Sequence, residues 1–219
     1  MVKYVKSSVS LIDYFGSDLS VVNAARVSFA KESHELSEQD EKLIHYLAKH
    51  KHKSPFNHAF LSFRVKAPIF VARQLVKHEY LTWNEESRRY VDDEPEFYDF
   101  TEWRGRSRDK KQGSRGRILQ RDEDVMRHIY NKICDETLSV YKRMLQYDVA
   151  PEQARAVLPL STMTEWIWSG SLGAFAKMLN LRLSHDSQKE TQEVARLIKE
   201  LLEPLFPISL KALTEHPIL

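Results

Sequence analysis

Cationic side chains occur in this sequence at positions where their neighbours are apolar or aromatic. Arg155 lies in the segment ARAVLPL, and Arg182 ends the segment KMLNLR, whose leucines and methionine have the pattern of a core. An unpaired buried charge is costly, so each arginine alone is explained by a structural ion pair. Jointly they indicate a pocket for an anion, most naturally phosphate, which a guanidinium binds through two parallel hydrogen bonds. The cations of this set are Arg64, Arg73, Lys77, Arg88, Arg89, Arg155 and Arg182.

Two common chemical devices are missing from the sequence. Its six glycines form neither G-x-G-x-x-G nor a Walker loop, so side chains and helix N-termini would have to bind any phosphate. Cys134 follows Ile133 in an amphipathic segment and precedes two acidic residues. Because a reactive thiol requires an electropositive and accessible setting, we interpret Cys134 as a small helix residue rather than a nucleophile.

Four histidines lie close together in the sequence, at His45, His50, His52 and His58. Imidazole is a common metal ligand, which makes a metal site an alternative. Their spacing is not H-E-x-x-H, and they are predicted to span a helix, a loop and the start of a strand. We therefore predict no metal site and expect His50 and His52 to be exposed or to face a ligand.

The composition is that of an ordinary globular protein. Of the 219 residues 42% are hydrophobic and 29% are charged, and the net charge of +2 gives little attraction to nucleic acid or to a membrane surface. A single cysteine excludes an internal disulfide and favours a reducing compartment. There is no apolar run of about 18 residues and the first residues form a poor signal peptide, so we predict a cytoplasmic protein.

The elements that position the candidate residues are mostly helices. Ser37 and Asp40 form a capping-box pattern before a helix, residues 58–67 alternate as in a half-buried strand, and Pro68 stands where the next helix would begin. Residues 122–145 form a long amphipathic pattern. The apolar face of that pattern is marked by Val125, Ile129, Ile133, Val140, Tyr141 and Leu145. Further helices are predicted within 23–29, 150–160, 171–184 and 188–206, and a strand within 163–170.

Helices thus predominate without a regular strand–helix alternation, which favours an α+β fold over a doubly wound sheet. No internal repeat or long linker divides the chain, so we predict a single domain, 1–219. Residues 104–121, RGRSRDKKQGSRGRILQR, are basic and nearly free of apolar residues, and we predict an exposed loop there.

Four motifs, in the same order along the chain, resemble the flavin-dependent thymidylate synthases. The segment WNEESRRY follows KH, with SPFNH upstream and ARAVLPL and LNLR downstream. The signature of that family is R-H-R, seven residues and S, and the matching frame here is Lys77-His78-Glu79, seven residues and Ser87. The resemblance extends from about Asn23 to at least Gln192.

The resemblance implies a fold of helices packed around a small, mostly antiparallel sheet. It also implies a homotetramer with active sites shared between subunits. The implied reaction is reductive methylation of dUMP to dTMP, with methylenetetrahydrofolate as carbon donor and FAD as a cofactor reduced by NADPH. No enzyme nucleophile attacks the uracil in this family, which agrees with our interpretation of Cys134.

The resemblance also assigns roles to residues, position by position. Arg182 would polarise the uracil carbonyl and stabilise the developing negative charge, and His52 would face the flavin ring where folate stacks. The residues at dUMP-binding positions are Gln74, Glu85, Ser87, Arg88, Arg89, Arg155 and Arg182. Those at FAD-binding positions are Ser28, Ser54, Lys77, His78, Glu79, Asn84, Glu85 and Lys177.

The sequence departs from the family pattern mainly around the expected flavin site. Glu79 reverses the charge of the third signature residue, and Asn57, Ser171 and Gly173 replace residues that are common in the family. Lys77 and Lys177 are substitutions as well, and His185 is shifted by one position. These changes keep open another C5 alkylation of a pyrimidine nucleotide, either hydroxymethylation or methylation of UMP.

The basic segment 104–121 adds two hypotheses. Its residues 110–114 could compensate for the altered flavin site as phosphate contacts. Alternatively the segment could bind nucleic acid, in which case affinity would depend strongly on salt concentration.

Overall fold

The computed structural model describes residues 2–90, 93–107 and 113–217. The helices are α1 (Asp18–Arg26), α2 (Glu38–Lys49), α3 (Ile69–Leu75), α4 (Gln120–Gln146), α5 (Pro151–Ala154), α6 (Leu172–Arg182), α7 (Lys189–Leu202) and α8 (Pro207–Glu215). The strands are β1 (Lys3–Val5), β2 (Ser8–Phe15), β3 (Phe60–Pro68), β4 (Leu81–Glu85), β5 (Glu96–Tyr98), β6 (Arg104–Arg106), β7 (Ser114–Arg117) and β8 (Met163–Ser171). Short 3-10 turns cover Val27–Phe29, Ser54–His58 and Arg155–Val157.

A four-stranded sheet has the strand order β2-β3-β8-β4. Strands β3 and β8 alternate between buried and more exposed residues along most of their length, as their sequence period of two predicts. A short parallel pair, β1 with β5, and an antiparallel pair, β6 with β7, are separate from this sheet. The predicted fold class, helices with a small, mostly antiparallel sheet, is confirmed. Within the described residues no helix is long and apolar enough to cross a membrane.

The chain forms two compact units, which interleave along the sequence. The first unit comprises Met1–Ser8, Lys66–Leu75 and Glu85–Trp166, and the second comprises Val9–Val65, Val76–Asn84 and Ile167–Leu219. A cluster on the buried side of α4 forms a core of the first unit, and its buried members are Val2, Phe97, Cys134, Leu138, Tyr141 and Ala154. In the second unit, Phe63 and Trp168 both pack edge-on against Phe175 of α6.

Polar caps fix the helices of the second unit. Ser37 and Asp40 form the predicted capping box at the start of α2. The Ser171 hydroxyl accepts a hydrogen bond from the Ala174 amide at the start of α6. The buried Asp18 carboxylate accepts the amides of Ile208 and Ser209 at the start of α8, at 3.0 and 2.9 Å. These caps hold the helices in fixed positions for the side chains described below.

Several sequence-based boundaries were wrong. The first helix begins at Asp18 instead of Asn23, because Ser17 supplies the cap and the chain ahead of Asn23 already has helical geometry. Leu81–Glu85 is a strand that we did not predict from the sequence. The basic segment is not a loop throughout, since Arg104–Arg106 pairs with Ser114–Arg117 in an antiparallel hairpin.

The predicted apolar face of α4 was also wrong in part. Ile129, Ile133 and Val140 are between 43% and 47% exposed, whereas Leu138 and Cys134 are buried. Helix α4 therefore has two neighbouring apolar stripes, and the described part of the chain covers only one of them. The helical spacing of apolar residues identifies both stripes, but it does not indicate which of them packs against the rest of the same chain.

Candidate active site

In the second unit, Arg182 and His78 form a direct hydrogen bond. The Nε–H group of Arg182 donates to Nε2 of His78 over 2.8 Å. This bond requires an unprotonated Nε2, so the neutral imidazole carries its proton on Nδ1. Burial, followed by the positive charges of Arg182 and Lys177, lowers the pKa of His78 from 6.5 to about 4. His78 is therefore neutral at physiological pH and holds the guanidinium by accepting from it.

Aromatic rings form the surroundings of this pair. The His78 ring is tilted against Trp168 with 6.4 Å between ring centroids, and Trp83 contacts Trp168 edge-on at 5.7 Å. Trp168 is fully buried in β8. The low polarity of these rings desolvates the pair, which also lowers the pKa of Arg182. Trp168 thus supports the site, a role that its strand pattern did not reveal.

In the first unit, Glu85 is held by a residue that the sequence reasoning missed. The hydroxyl of Thr164 in β8 donates to Oε1 of Glu85 over 2.6 Å. Thr164 is buried whereas Glu85 is exposed, so the bond is partly buried. Thr164 is separated from Glu85 by 79 residues, and no local pattern could have linked them.

Glu85 lies at a cavity of about 120 Å³ in the first unit, which brings three of the predicted dUMP residues together. The cavity is lined by Ile69, Glu85, Glu86, Arg88, Arg155, Leu158, Met163 and Thr164. Arg88 donates through Nη1 to the Asp93 carbonyl at 2.9 Å, while its buried Nε has no hydrogen-bond partner among the described residues. A buried donor without a partner is costly, so this atom is suited to an anionic ligand.

A second carboxylate, Glu86, lines the same cavity. Burial raises the pKa of Glu86, the charge of Arg88 opposes this shift, and Glu165 and Glu85 add to it. A carboxyl group that retains its proton more readily can donate a hydrogen bond as well as accept one. Glu86 was not among the predicted binding residues.

The other predicted dUMP residues of the first unit lie on α3 and on the chain after β4. Ser87 Oγ accepts from Arg89 Nε over 3.1 Å, and the Arg89 guanidinium lies 5.0 Å from the centre of the Tyr90 ring. Gln74 contacts the Phe70 carbonyl at a long 3.4 Å. The contact with Ser87 orients the Arg89 guanidinium. Because Arg89 is exposed, this guanidinium remains open to solvent.

The second unit contains a larger cavity of about 650 Å³. It is lined by Lys53, Asn57, Phe60, Tyr80, Leu81, Thr82, Ser171, Gly173, Ala174 and Lys177. This size is typical of cofactor pockets. Lys177 is the one residue among the predicted FAD contacts that lines it, and Lys53 is a second cation that the sequence reasoning missed.

The residues of this cavity fit a flavin dinucleotide. The first turn of α6 opens onto it, and amide groups at a helix N-terminus together with two lysines suit a pyrophosphate. A Cβ atom on Gly173 would lie 2.6 Å from Oδ1 of Asn57, so a larger residue at this position would require the Asn57 amide to rotate away. Ser171 donates to the same Oδ1 over 2.7 Å. Asn57, Ser171 and Gly173, which all depart from the family pattern, are thus direct neighbours in the structure.

Tyr80 has an unusual backbone conformation at the mouth of this cavity. Its φ angle is +63°, and its side chain is 84% exposed. A left-handed conformation is strained for a residue with a large side chain and often marks a functional site. Gly170 of β8 allows the close approach of this turn, because a Cβ atom there would lie 2.9 Å from the Tyr80 carbonyl oxygen.

The remaining candidate FAD residues of the second unit lie on its surface. Ser28 and Ser54 are exposed on 3-10 turns, and Lys77, Glu79 and Asn84 are exposed on either side of the Tyr80 turn. His52 is exposed too, with its ring edge-on to Tyr46 at 6.1 Å. The His50 ring is tilted against the same ring, with 4.2 Å between ring centroids. These residues are accessible to a ligand, and their binding roles stay predictions.

Some cations of the basic hairpin, which is formed by β6 and β7, already have partners within the first unit. Arg117 is ion-paired with the fully buried Glu123 of α4, and the Arg104 Nε donates to Ser114 over 2.8 Å. The pKa of Glu123 is lowered, chiefly by the hydrogen bond from Arg117. The positive charges of Arg117 and Arg127 lower it further, and burial acts in the opposite direction. The hairpin is thus anchored to α4. Of the proposed phosphate contacts, Lys110, Lys111 and Gln112 lie outside the described residues, and Gly113 and Ser114 are exposed.

Cys134 is fully buried in the core of the first unit. Burial raises the pKa of its thiol, which disfavours the thiolate that a nucleophile needs. Its environment thus supports the interpretation of Cys134 as a packing residue.

Known proteins resemble this chain over nearly its whole length. A family profile described as thymidylate synthase complementing protein (Thy1) matches residues 10–208. A flavin-dependent thymidylate synthase of Thermus thermophilus is 39% identical over 211 residues, covering 96% of this chain and 77% of that protein. The enzyme of the same name from Thermosipho melanesiensis is 38% identical over 203 residues, covering 92% and 88%.

A solved structure adds agreement in three dimensions. The UMP/dUMP methylase PolB from Streptomyces cacaoi, bound with 5-Br UMP, superimposes with a TM-score of 0.88 at 30% identity, over 100% of this chain and 98% of that one. Shared sequence, fold and signature positions lead to one conclusion. The chain belongs to the flavin-dependent thymidylate synthases, a family of methyltransferase enzymes.

Proposed function

We propose that the protein methylates C5 of dUMP to give dTMP, with methylenetetrahydrofolate as carbon donor and NADPH as the source of reducing equivalents. The observation that carries this proposal is the cavity shared by Glu85, Arg88 and Arg155 in an enzyme of this family. A bound FAD would supply the redox chemistry that amino-acid side chains lack.

The first-unit residues are proposed to bind the nucleotide. Arg88 offers its unpartnered Nε, and Arg89 and Arg155 offer further guanidinium donors to the phosphate. Glu85, oriented by Thr164, accepts a hydrogen bond from a ribose hydroxyl. Ser87 and Gln74 complete the proposed contacts.

Arg182 is proposed as the group that stabilises charge on the uracil. A guanidinium in desolvated surroundings stabilises an anion more strongly than one in water. The neutral His78 orients Arg182 through the 2.8 Å hydrogen bond without competing as a second cation. His52 is proposed to face the flavin ring on the side where folate binds.

The second-unit cavity is proposed to hold FAD. Lys177 and Lys53, which both line this cavity, would bind the pyrophosphate at the start of α6. The other proposed contacts are Ser28, Ser54, Lys77, His78, Glu79, Asn84 and Glu85.

The exposed stripe of α4 supports the proposed homotetramer. Ile129, Ile133 and Val140 present apolar surface at helical spacing, which a second copy would cover. The buried free thiol of Cys134 suits a reducing compartment, and we propose a cytoplasmic location.

UMP is a second candidate substrate, because the PolB structures carry both 5-Br UMP and 5-Br dUMP. Nucleic-acid binding by the basic segment is less favoured, since Arg104 and Arg117 already have partners in the first unit.

Product mass separates these possibilities. The protein is incubated with FAD, NADPH, methylenetetrahydrofolate and either dUMP or UMP, and the nucleotide is analysed by mass spectrometry. A gain of one CH2 from dUMP supports thymidylate synthesis, and a gain of CH2O indicates hydroxymethylation. Equal conversion of UMP would favour the second substrate. Unchanged nucleotides with flavin-loaded protein would refute the proposal.

Arg155→Ala is expected to reduce turnover, and Arg106→Ala is the matched control on the hairpin.

A further inference from the structure

We propose that His45, Glu215 and His216 form a binding site for a divalent transition-metal ion of the zinc class. His45 lies on α2, Glu215 is the last residue of α8, and His216 follows it directly. One ligand atom from each residue lies within 4.8 Å of the other two. None of the three residues belongs to the sets proposed for the nucleotide or the flavin. The spacing of His45 from the other histidines near it in the sequence predicted no metal site, whereas the fold brings His45 next to ligands at the end of the distant helix α8.

The separations of the ligand atoms suit a small ion. Zinc binds nitrogen and oxygen ligands at about 2.0–2.1 Å, which places tetrahedral ligand atoms about 3.4 Å apart. His45 Nδ1 and Glu215 Oε2 are 3.5 Å apart. The remaining separations do not exceed 4.8 Å, so the His216 ring needs a displacement of only about 1.4 Å to complete the triangle.

Rigid elements carry two of the ligands. Helices α2 and α8 pack against each other, with Ile44 and Leu47 buried on the first helix and Leu213 on the second. The Asp18 carboxylate fixes the start of α8. At the other end of that helix the His216 amide still bonds to the Ala212 carbonyl over 2.9 Å. The ligands are thus held by packed backbone, as a preformed site requires.

Charge and ligand type decide which ion is expected. The C-terminal end of α8 carries the negative end of the helix dipole, which favours a cation there. Two imidazoles and one carboxylate form a ligand set that binds zinc and leaves a fourth position for water. Calcium and magnesium prefer oxygen ligands alone, and copper(I) prefers sulfur. The set therefore suits divalent ions of the zinc class, which include Cu²⁺, Ni²⁺ and Fe²⁺; Zn²⁺ serves as the probe, and Co²⁺ can report on the same geometry.

The alternative interpretation is an ordinary ion pair between His45 and Glu215, without a metal ion. Side-chain exposures of 26% and 48% allow such a pair as well as access of an ion. The two possibilities differ in the role of His216, which the ion pair does not need. Loss of His216 would abolish a three-ligand site and leave the ion pair intact.

Zn²⁺ titration of tag-free, chelator-treated protein by calorimetry tests the proposal. We expect saturable binding to the wild-type chain, weakened at least tenfold in His216→Ala and in Glu215→Gln. His128→Ala, an exposed histidine of α4, is the matched control and should bind as the wild type does. Zn²⁺ should also raise the thermal unfolding midpoint of the wild type more than that of His216→Ala.

Absorption by Co²⁺ in the visible range gives a readout that a nonspecific surface site would not produce. A four-coordinate spectrum in the wild type that is lost in His216→Ala supports the site. No saturable Zn²⁺ binding to the wild type would overturn the proposal. Equal affinity of the wild type and His216→Ala would overturn it as well. Circular dichroism on each variant establishes that the comparison is made between folded proteins.

Discussion

Replacing His78 with glutamine should make the stability of the protein less sensitive to acid. In the folded chain the pKa of His78 is lowered from 6.5 to about 4, because the ring is buried and faces Arg182 and Lys177. Between these two values the unfolded chain binds a proton that the folded chain does not. Stability linked to His78 is therefore fully present above pH 6.5 and is lost as the pH falls toward 4.

The size of this effect follows from the shift. A difference of about 2.5 pKa units corresponds to about 3 kcal/mol in full, and to about 2 kcal/mol at pH 5. Glutamine can accept the Arg182 hydrogen bond through its amide oxygen and does not titrate. The loss of unfolding free energy between pH 8 and pH 5 should thus be about 2 kcal/mol smaller in His78→Gln than in the wild type.

Thermal unfolding at equal protein concentration measures the difference. For a chain of this length, about 2 kcal/mol corresponds to a change of about 4–8 °C in midpoint. The comparison between variant and wild type removes the contributions of the other titrating groups. His128→Gln controls for removal of an exposed histidine. Equal acid sensitivity of the wild type and His78→Gln would refute the reasoning, because it would mean that His78 is not held neutral by the folded structure.

Three further predictions concern single contacts. Thr164→Val removes the donor to Glu85 and should weaken dUMP binding about tenfold, whereas Thr164→Ser should not; equal affinities would contradict the positioning role. Gly173→Ala should destabilise the protein by about 1 kcal/mol, because the Asn57 amide must leave its hydrogen bond with Ser171, and it should cost little in an Asn57→Ala background; additive effects in urea unfolding would exclude the clash. Asp18→Ala should cost about 2–4 kcal/mol by urea unfolding, with Asp18→Asn intermediate; a neutral result would show that α8 does not depend on this cap.

Much of the secondary structure was predictable because it depends on residues a few positions apart. Ser37 and Asp40 define the start of α2 by a local hydrogen-bond exchange, and β3 follows from alternation along one strand. The strand β4 was missed, because the alternation of Leu81 and Trp83 with polar neighbours extends over only five residues and adjoins charged segments on both sides. It forms because β8 provides the neighbouring edge.

The candidate site was predictable only as a set of residues. The motifs around His78, Glu85 and Arg182 identified the family, and the comparisons confirmed it. The motifs did not reveal that Thr164 holds Glu85, or that burial on Trp168 keeps His78 neutral. Each of these depends on a partner from another element, so spacing along the chain contains no signal for it.

The sequence by itself determined the family, the class of fold and the types of residue available for chemistry. Those properties reside in residue identity and in short-range spacing, which a linear pattern preserves. Tertiary structure alone decided that Arg182 donates to His78, 104 residues away, and which stripe of α4 is covered. Contacts of this kind result from the packing of whole elements, in which the burial of one side chain depends on all its neighbours.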